Sequence, residues 1–350
     1  MRVAVVCPYD LDIPGGVQDQ TIRLVRWLET AGIEASLIGP GGDGPRGEVL
    51  PGQTTVLAIN RSLAPVRLDP RVMSAVRRAL AGFDVVHVHE PLVPMVSIAA
   101  LAVSGPAKVA TFHADPPVWV RRLYRYGRPA IRQALRGVHV FTAVSPVAGS
   151  AIDGMVEYRI IPNGVDIDDY PTGPTVRHRV TFLGRDDPRK GLSVILEAWP
   201  RIRAAVPEAE LHVIGADRAE MAGVTFLDRV AEEEKRRELA ASEIHVAPNP
   251  GAESFGVVVL EAMAAGSAVV ASAIPAFEYV SGGVALMVTP GDAMGLGSAV
   301  IELLQDPARA RSMGEVARQR SMDFDGAGVA ARYIEAYEHA LALRGHAAGS

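Results

Sequence analysis

The chain has 350 residues, 49% of them hydrophobic, a formal net charge of -5 and a single cysteine. That length is too great for one ordinary core and suits two domains of roughly 150 to 200 residues each. The lone Cys7 excludes a disulfide framework and a Cys/His zinc cluster, and the mild charge argues against a general nucleic-acid binder.

The charge is uneven. Residues 1–167 hold 17 Lys and Arg against 14 Asp and Glu, a net of +3, and residues 168–350 hold 18 against 26, a net of -8. The first half is therefore expected to meet something anionic. Met1 to Val6 reads as a short strand and not as an export signal, so a cytoplasmic, reducing setting is expected.

In chain order, Val3 to Val6 is apolar and β-branched. Gly15-Gly16 then opens a stretch in which Val17, Thr21, Leu24, Val25, Leu28 and Ala31 recur at helical spacing, with Gly32 placed to end it. Ala35 to Ile38 predicts the next strand. A helix is expected over Pro70 to Leu80, and strands over Val85 to Val88, Lys108 to Phe112, Val138 to Ala143 and Arg159 to Ile161. Strands alternating with helices imply a parallel α/β sheet.

Around Pro162 to Pro174 the pattern breaks into Pro, Asn, Gly and Asp, the composition of a hinge. The rhythm restarts at Arg179 to Leu183. It continues with helices over Lys190 to Ala205 and Glu232 to Ala241, and strands over Glu210 to Ile214, Ile244 to Ala247 and Ala268 to Ala271. Phe255 to Ile274 is almost wholly apolar, yet Glu261 and several small residues lie within it, which predicts a buried helix and strand and not a membrane span. A last helix, Val329 to Leu343, comes after the second sheet should be complete and is expected to cross back onto the first lobe. The domains are then 1–167 with about 326–350, and 168–325.

Three clusters carry chemistry. Gly15-Gly16-Val17-Gln18 lies between a strand and a helix, where backbone N–H groups and the helix dipole can hold a phosphate; a tight turn that needs glycine is the alternative. It lacks the GxGxxG fingerprint, and Glu34 is an unclear match for a ribose-binding acid, which disfavours an NAD oxidoreductase. In Gly184 to Gly191, Arg185 and Lys190 project from a strand–helix loop and suit a departing diphosphate without a metal, a solvated basic loop being the alternative.

The third cluster is Gly251-Ala252-Glu253-Ser254-Phe255-Gly256, followed after seven residues by Glu261 and Ala262-Met263-Ala264-Ala265-Gly266. Gly256 allows a helix N-terminus to approach a ligand closely. A carboxylate at 261 among apolar neighbours needs partners, either ribose hydroxyls or an internal cation. His113 and Glu90 end two further strands, where ligands bind on open parallel sheets, and His113 there suits a sugar hydroxyl or the buffering of charge.

Together these residues resemble the family-4 retaining glycosyltransferases over nearly the whole chain. The resemblance implies the GT-B fold, two facing Rossmann-like doubly wound domains. Its most specific pieces are Pro162-Asn163-Gly164-Val165-Asp166, Gly184 to Gly191, and Glu253 paired with Glu261. Within the family, Cys7-Pro8-Tyr9, Pro14 to Gln18, His89-Glu90-Pro91 and Thr111-Phe112-His113 are most similar to the actinobacterial phosphatidylinositol mannosyltransferases.

By that likeness Gly16, Arg185 and Lys190 hold the donor diphosphate, Glu253 binds donor-sugar hydroxyls beside Ser254, Phe255 and Gly256, and Glu261 binds the ribose. Lys235 lies near the base, His113 beside the transferred sugar, and Tyr9 and Gln18 near the inositol ring of an acceptor. The resemblance implies transfer of mannose from GDP-mannose to a phosphatidylinositol-type lipid or a small polyol. No metal and no tightly bound cofactor are expected. Gly184 to Gly191 is one residue shorter than the family pattern, Ala252 replaces a glycine, and Pro40 to Ile59 is not recognisably similar. A UDP-sugar donor with a soluble acceptor, a nucleotide-sugar epimerase of the same fold and a non-catalytic sugar-nucleotide sensor remain open at this point.

Between Asp115 and Asp153 lie Arg121, Arg122, Arg125, Arg128, Arg132 and Arg136 with no acidic residue, and Trp119, Tyr124 and Tyr126 are mixed among them. This is either a solvated helix face or a strip that lies on an anionic bilayer, on the inner face of the cell membrane.

Overall fold

The computed structural model describes residues 1–41, 47–50, 54–59, 62–116 and 118–349. The chain divides into two compact units, Met1–Gly164 with Gly326–Ser350, and Val165–Asp325.

The first unit runs β1 (Arg2–Val6), α1 (Gly16–Thr30), β2 (Glu34–Pro40), β3 (Gly47–Leu50), β4 (Thr54–Ile59), β5 (Ser62–Arg67), α2 (Arg71–Ala79), β6 (Val85–His89), α3 (Val96–Leu101), β7 (Ala107–Phe112), α4 (Val118–Tyr126), α5 (Arg128–Ala134), β8 (Val140–Ala143), α6 (Pro146–Gly149) and β9 (Arg159–Ile160). Seven of these strands form a parallel sheet in the order β3-β2-β1-β6-β7-β8-β9. Val3 to Val6 are fully buried because β1 has neighbours on both edges and helices on both faces, so its apolar run does not alternate.

The unmatched stretch from Pro40 contributes β3 to this sheet, while β4 and β5 pair as an antiparallel hairpin; residues 42–46 and 51–53 lie outside the described residues. This hairpin is not evident from the residues alone, because Pro65 sits inside β5 and a proline normally argues against a strand.

The second unit runs β10 (Val176–Leu183), α7 (Leu192–Ala205), β11 (Glu210–Ile214), β12 (Val224–Phe226), α8 (Glu232–Ala241), β13 (Ser242–Ala247), α9 (Val257–Ala264), β14 (Ala268–Ser272), α10 (Pro275–Ser281), β15 (Leu286–Val288), α11 (Ala293–Gln305) and α12 (Pro307–Ser321). Its six-stranded parallel sheet has the order β12-β11-β10-β13-β14-β15. The apolar stretch from Phe255 forms α9 and β14, both buried in this unit. Among the described residues, no helix is long and apolar enough to cross a membrane.

After Asp325 the chain returns to the first unit as α13 (Gly326–Gly349). Val329, Ala330, Tyr333, Ala336, Tyr337 and Ala340 recur at helical spacing and join Leu24, Val25, Leu28, Val85 and Val109 in one core. Two glycines make the crossings possible. A Cβ on Gly164 would lie 2.7 Å from the Trp27 ring, and one on Gly326 would lie 2.3 Å from it, so a side chain at either position would displace the indole. Gln20 clasps the outgoing crossing by donating to the Gly164 carbonyl (3.1 Å) and accepting from its N–H (3.0 Å).

In both sheets the chain builds outward from one central strand and then reverses to its other side. The reversal falls between β1 and β6 in the first unit and between β10 and β13 in the second. Loops leaving the carboxyl ends of such a strand pair diverge to opposite faces and leave room for a ligand.

Candidate active site

In the second unit the loops after β10 and β13 meet at the switch point. Gly191 has φ 74°, and a Cβ there would lie 2.1 Å from the Pro248 carbonyl oxygen, so only glycine lets the two loops come this close. Lys190 Nζ consequently reaches Glu253 Oε2 at 2.8 Å, and Asn249 Nδ2 donates to the same oxygen at 3.1 Å.

The charges of the β10 loop are sorted. Asp187 caps the turn by accepting the Arg189 N–H at 2.9 Å and pairs with the Arg189 guanidinium at 2.8 Å. Asp186 holds Arg218 through two hydrogen bonds of 2.6 and 2.8 Å. Arg185 is exposed, and among the described residues its side chain makes no hydrogen bond or ion pair, interacting with Asp187 only at longer range. The loop therefore offers one guanidinium and one ammonium, the ammonium held by a carboxylate that a phosphate could replace.

Ala252 adopts φ 56°, a left-handed conformation that costs an alanine roughly 1 kcal/mol. Gly256 caps α9 with φ 102°, and a Cβ there would lie 2.8 Å from the Phe277 ring. The Phe255 ring is buried in edge contacts with Tyr279 and Phe324, with centroids 6.2 and 5.9 Å away, which leaves its backbone N–H as the part suited to a ligand.

Glu261 lies in the second turn of α9, buried, with Lys235 Nζ 2.9 Å from its Oε1. Lys235, also buried, meets Glu232 at 2.9 Å. Burial alone would lower the ammonium pKa, but Glu261 and Glu232 outweigh it and raise it. The internal cation considered for Glu261 is thus present, and it is the residue expected near the base.

In the first unit Gly16 begins α1, exposed, and Gly15 provides no side-chain cap. A Cβ on Gly16 would meet nothing within 4 Å, and its φ is not left-handed. No turn requires glycine there, and the bare backbone leaves the helix N-terminus open to close approach. Gln18 is buried and donates to the carbonyls of Ile13 (3.0 Å) and Asp10 (3.3 Å), so its amide nitrogen shapes the loop that carries Tyr9. Tyr9 bridges to Val66 of β5, and Asp10 N–H donates to the Pro65 carbonyl at 2.9 Å. The hairpin thus docks beside the two residues expected near an acceptor. Asp10 also holds Thr54 by a hydrogen bond and Arg67 at 3.6 Å.

At the ends of β6 and β7 is a row of buried imidazoles. His87 bonds Tyr337 of α13 (2.8 Å) and Thr111 (2.6 Å); His89 Nδ1 bonds His113 Nε2 at 2.7 Å. Burial lowers all three, His87 and His113 to about 3 and His89 well below its usual value. His113 is therefore neutral at physiological pH and can offer a hydrogen bond but not buffer charge. Glu90, at φ 48°, accepts the backbone N–H groups of His113 (2.7 Å) and Ala114 (2.6 Å). Burial raises its carboxyl to about 6, against the lowering by those two donors.

Two family models match this chain, "Glycosyltransferase Family 4" over residues 14–169 and "Glycosyl transferases group 1" over residues 177–306. The phosphatidyl-myo-inositol mannosyltransferase of Mycolicibacterium smegmatis is 34% identical over 97% of this chain and 94% of its own length. That of Mycobacterium leprae is 32% identical over 97% and 96%. The chain belongs to glycosyltransferase family 4.

Solved structures share the fold of this glycosyltransferase. The sucrose-phosphate synthase of Thermosynechococcus elongatus superposes with TM-score 0.75 at 20% identity, covering 97% of this chain and 99% of that one. Anabaena HepE in complex with UDP and glucose superposes with TM-score 0.69 at 17% identity, covering 96% and 99%. The fold is GT-B, as the motifs implied.

Several residues that shape the glycosyltransferase's candidate site escaped the sequence reading. Asn249 and Gln20 are second partners of residues that the motifs contain, and His89, itself in a motif, carries no role there because no spacing rule joins positions 20 and 164, or 89 and 113. Tyr124 falls in the arginine-rich strip by sequence, yet it is half-buried, and its pKa is raised by burial first and by Glu90 second, which places it near that carboxyl.

Proposed function

We propose that this glycosyltransferase moves mannose from GDP-mannose to a phosphatidylinositol-type acceptor, with retention of configuration and without a divalent metal at the donor site. The observation that carries the reading is the full-length likeness to phosphatidyl-myo-inositol mannosyltransferases, 34% identity over 97% of the chain.

In this reading the donor diphosphate takes Lys190 and Arg185, and Glu253, released from Lys190, binds hydroxyls of the mannose. The acceptor hydroxyl oxygen attacks the anomeric carbon on the face from which the diphosphate leaves. The new carbon–oxygen bond forms as the bond to the β-phosphate oxygen breaks, and the acceptor proton passes to that phosphate. Catalysis then rests on positioning and on the two cations that stabilise the growing negative charge. The separation of Glu253 on a loop from Glu261 in an ion pair with Lys235 favours this over the paired carboxylates of a glycosidase.

An anionic membrane surface is the second part of the reading. On α4 the exposed Trp119, Leu123 and Tyr126 fall at i, i+4 and i+7 and share one helix face, at 63%, 59% and 82% exposure. Arg122, Arg125 and Arg136 are exposed and unpaired among the described residues, whereas Arg121 pairs with Asp115, and Arg128 and Arg132 bond the Gly154 carbonyl. An apolar stripe flanked by free cations fits a surface helix on anionic lipid.

A thermal-shift panel of nucleotides tests the donor. A site ligand at 100 times its Kd stabilises by about 2.7 kcal/mol. GDP and GDP-mannose should stabilise at concentrations where UDP and UDP-glucose do not; the reverse order would refute the mannosyl donor.

A further inference from the structure

The row of imidazoles has two open ends. Both ring nitrogens of His87 are bonded, but His89 Nε2 and His113 Nδ1 are buried without a hydrogen-bond partner among the described residues, and their rings meet through the 2.7 Å contact between His89 Nδ1 and His113 Nε2. Two neutral imidazoles joined in this way share one proton in the contact. One of the two open nitrogens must then be an N–H and the other a bare lone pair.

The two ends differ in access. His89 is 1% exposed, at the end of the central strand β6 with its ring centroid 4.1 Å from that of His87, whereas His113 is 6% exposed where β7 ends. A buried N–H without an acceptor is the rarer and costlier orphan. The lone pair therefore belongs on His89 Nε2, and the N–H on His113 Nδ1, where a ligand oxygen can complete it. This requires His89 to carry its proton on Nδ1 and to donate it into His113 Nε2. Ser97, whose Oγ donates to the His89 carbonyl at 3.2 Å, and Glu90, which grips the His113 and Ala114 amides, fix the backbones on which both rings stand.

We infer that His89 is a positioning residue which locks His113 as the Nδ1–H tautomer, so that the ring donates a hydrogen bond to a ligand oxygen. The inference rests on the reading above only in taking that oxygen to be a hydroxyl of the transferred sugar. An imidazole free in water favours the proton on Nε2, so without His89 the ring would present an acceptor where the ligand needs a donor. A wrong tautomer is costly for a histidine held in one orientation.

The test combines nitrogen-15 histidine spectroscopy with kinetics. In the wild-type enzyme the His113 signal, assigned by its loss in His113→Ala, should show a protonated Nδ1 and a bare Nε2. In His89→Ala it should move to the other tautomer, and kcat should fall by roughly tenfold to a hundredfold, the range for outer partners of a functional histidine. The donor KM and the GDP Kd should stay unchanged. Asparagine places a donor where His89 Nδ1 stands, so His89→Asn should keep both the tautomer and most of the turnover. In a His113→Ala background, His89→Ala should cost nothing further. A wild-type His113 protonated on Nε2, or a His89→Asn enzyme as slow as His89→Ala, would overturn the inference. If His113→Ala turned over normally, the placing of the sugar at His113 would fail instead, and the spectrum would still decide the tautomer.

Discussion

Lys190 Nζ stands 2.8 Å from Glu253 Oε2, joining the loops after β10 and β13 in the second unit. Both side chains keep about one-fifth exposure, so the ammonium can be reached by a diphosphate that takes the place of the carboxylate. Lys190→Ala and Arg185→Ala should each slow transfer by about a hundredfold or more, the scale of removing one charge-stabilising donor. Arg185→Ala should leave the melting temperature nearly unchanged, because among the described residues the exposed Arg185 side chain makes no hydrogen bond or ion pair. Near-normal turnover of both purified variants would remove the diphosphate from this loop.

Glu253 and Glu261 should separate in their effects. Glu253→Gln should lose turnover more than GDP affinity. Glu261→Gln should weaken GDP binding in calorimetry and also destabilise the fold, because it strips a buried lysine of its partner, a loss of about 3 kcal/mol or less given that Glu232 remains. Unchanged nucleotide affinity in Glu261→Gln would end its assignment to the ribose.

The apolar run around Glu261 is legible as a carboxylate in need of partners, but its pairing with Lys235, 26 positions earlier, is not, because nothing in a linear pattern says that α8 packs against α9. The alternation of strands and helices was legible because parallel strands buried on both faces are long apolar runs. β12 and β15, of three residues each, were too short to show a period. The β4–β5 hairpin was hidden by Pro65. The clusters at strand ends were legible as residue types, while their partners, Asn249 for Glu253 and His89 for His113, depend on which strands are neighbours.

The Glu90 carboxyl titrates at about 6 in the folded enzyme against an ordinary 4.5, and the shift opposes folding when the group is ionised. Its stability is therefore full below about pH 4.5 and declines as pH rises through 6, by about 2 kcal/mol for a shift of this size. Glu90→Gln keeps an acceptor for the His113 and Ala114 amides without the charge. Chemical unfolding should find it more stable than wild type at pH 8 and equal to it at pH 4. A variant less stable at pH 8 would mean that the ionised carboxylate is the stabilising form.

The α4 face should bind anionic vesicles in sedimentation and leave neutral vesicles in solution, more at low salt than at high. Each exposed arginine near the surface contributes on the order of 1 kcal/mol, so replacing Arg122, Arg125 and Arg136 with glutamine should weaken binding by two orders of magnitude. Replacing Trp119, Leu123 and Tyr126 with serine should weaken it without changing the salt dependence. Equal partitioning to both lipids would instead favour a soluble acceptor.

The central claim, mannosyl transfer to a phosphatidylinositol-type lipid, is tested most directly by incubating the enzyme with radiolabelled GDP-mannose and phosphatidylinositol vesicles and separating organic from aqueous phases. Label should enter the organic phase in a phosphatidylinositol-dependent way, as one α-linked mannose, with an equimolar release of GDP. No transfer from GDP-mannose to the lipid, together with transfer from a UDP-sugar to a water-soluble acceptor, would contradict the account.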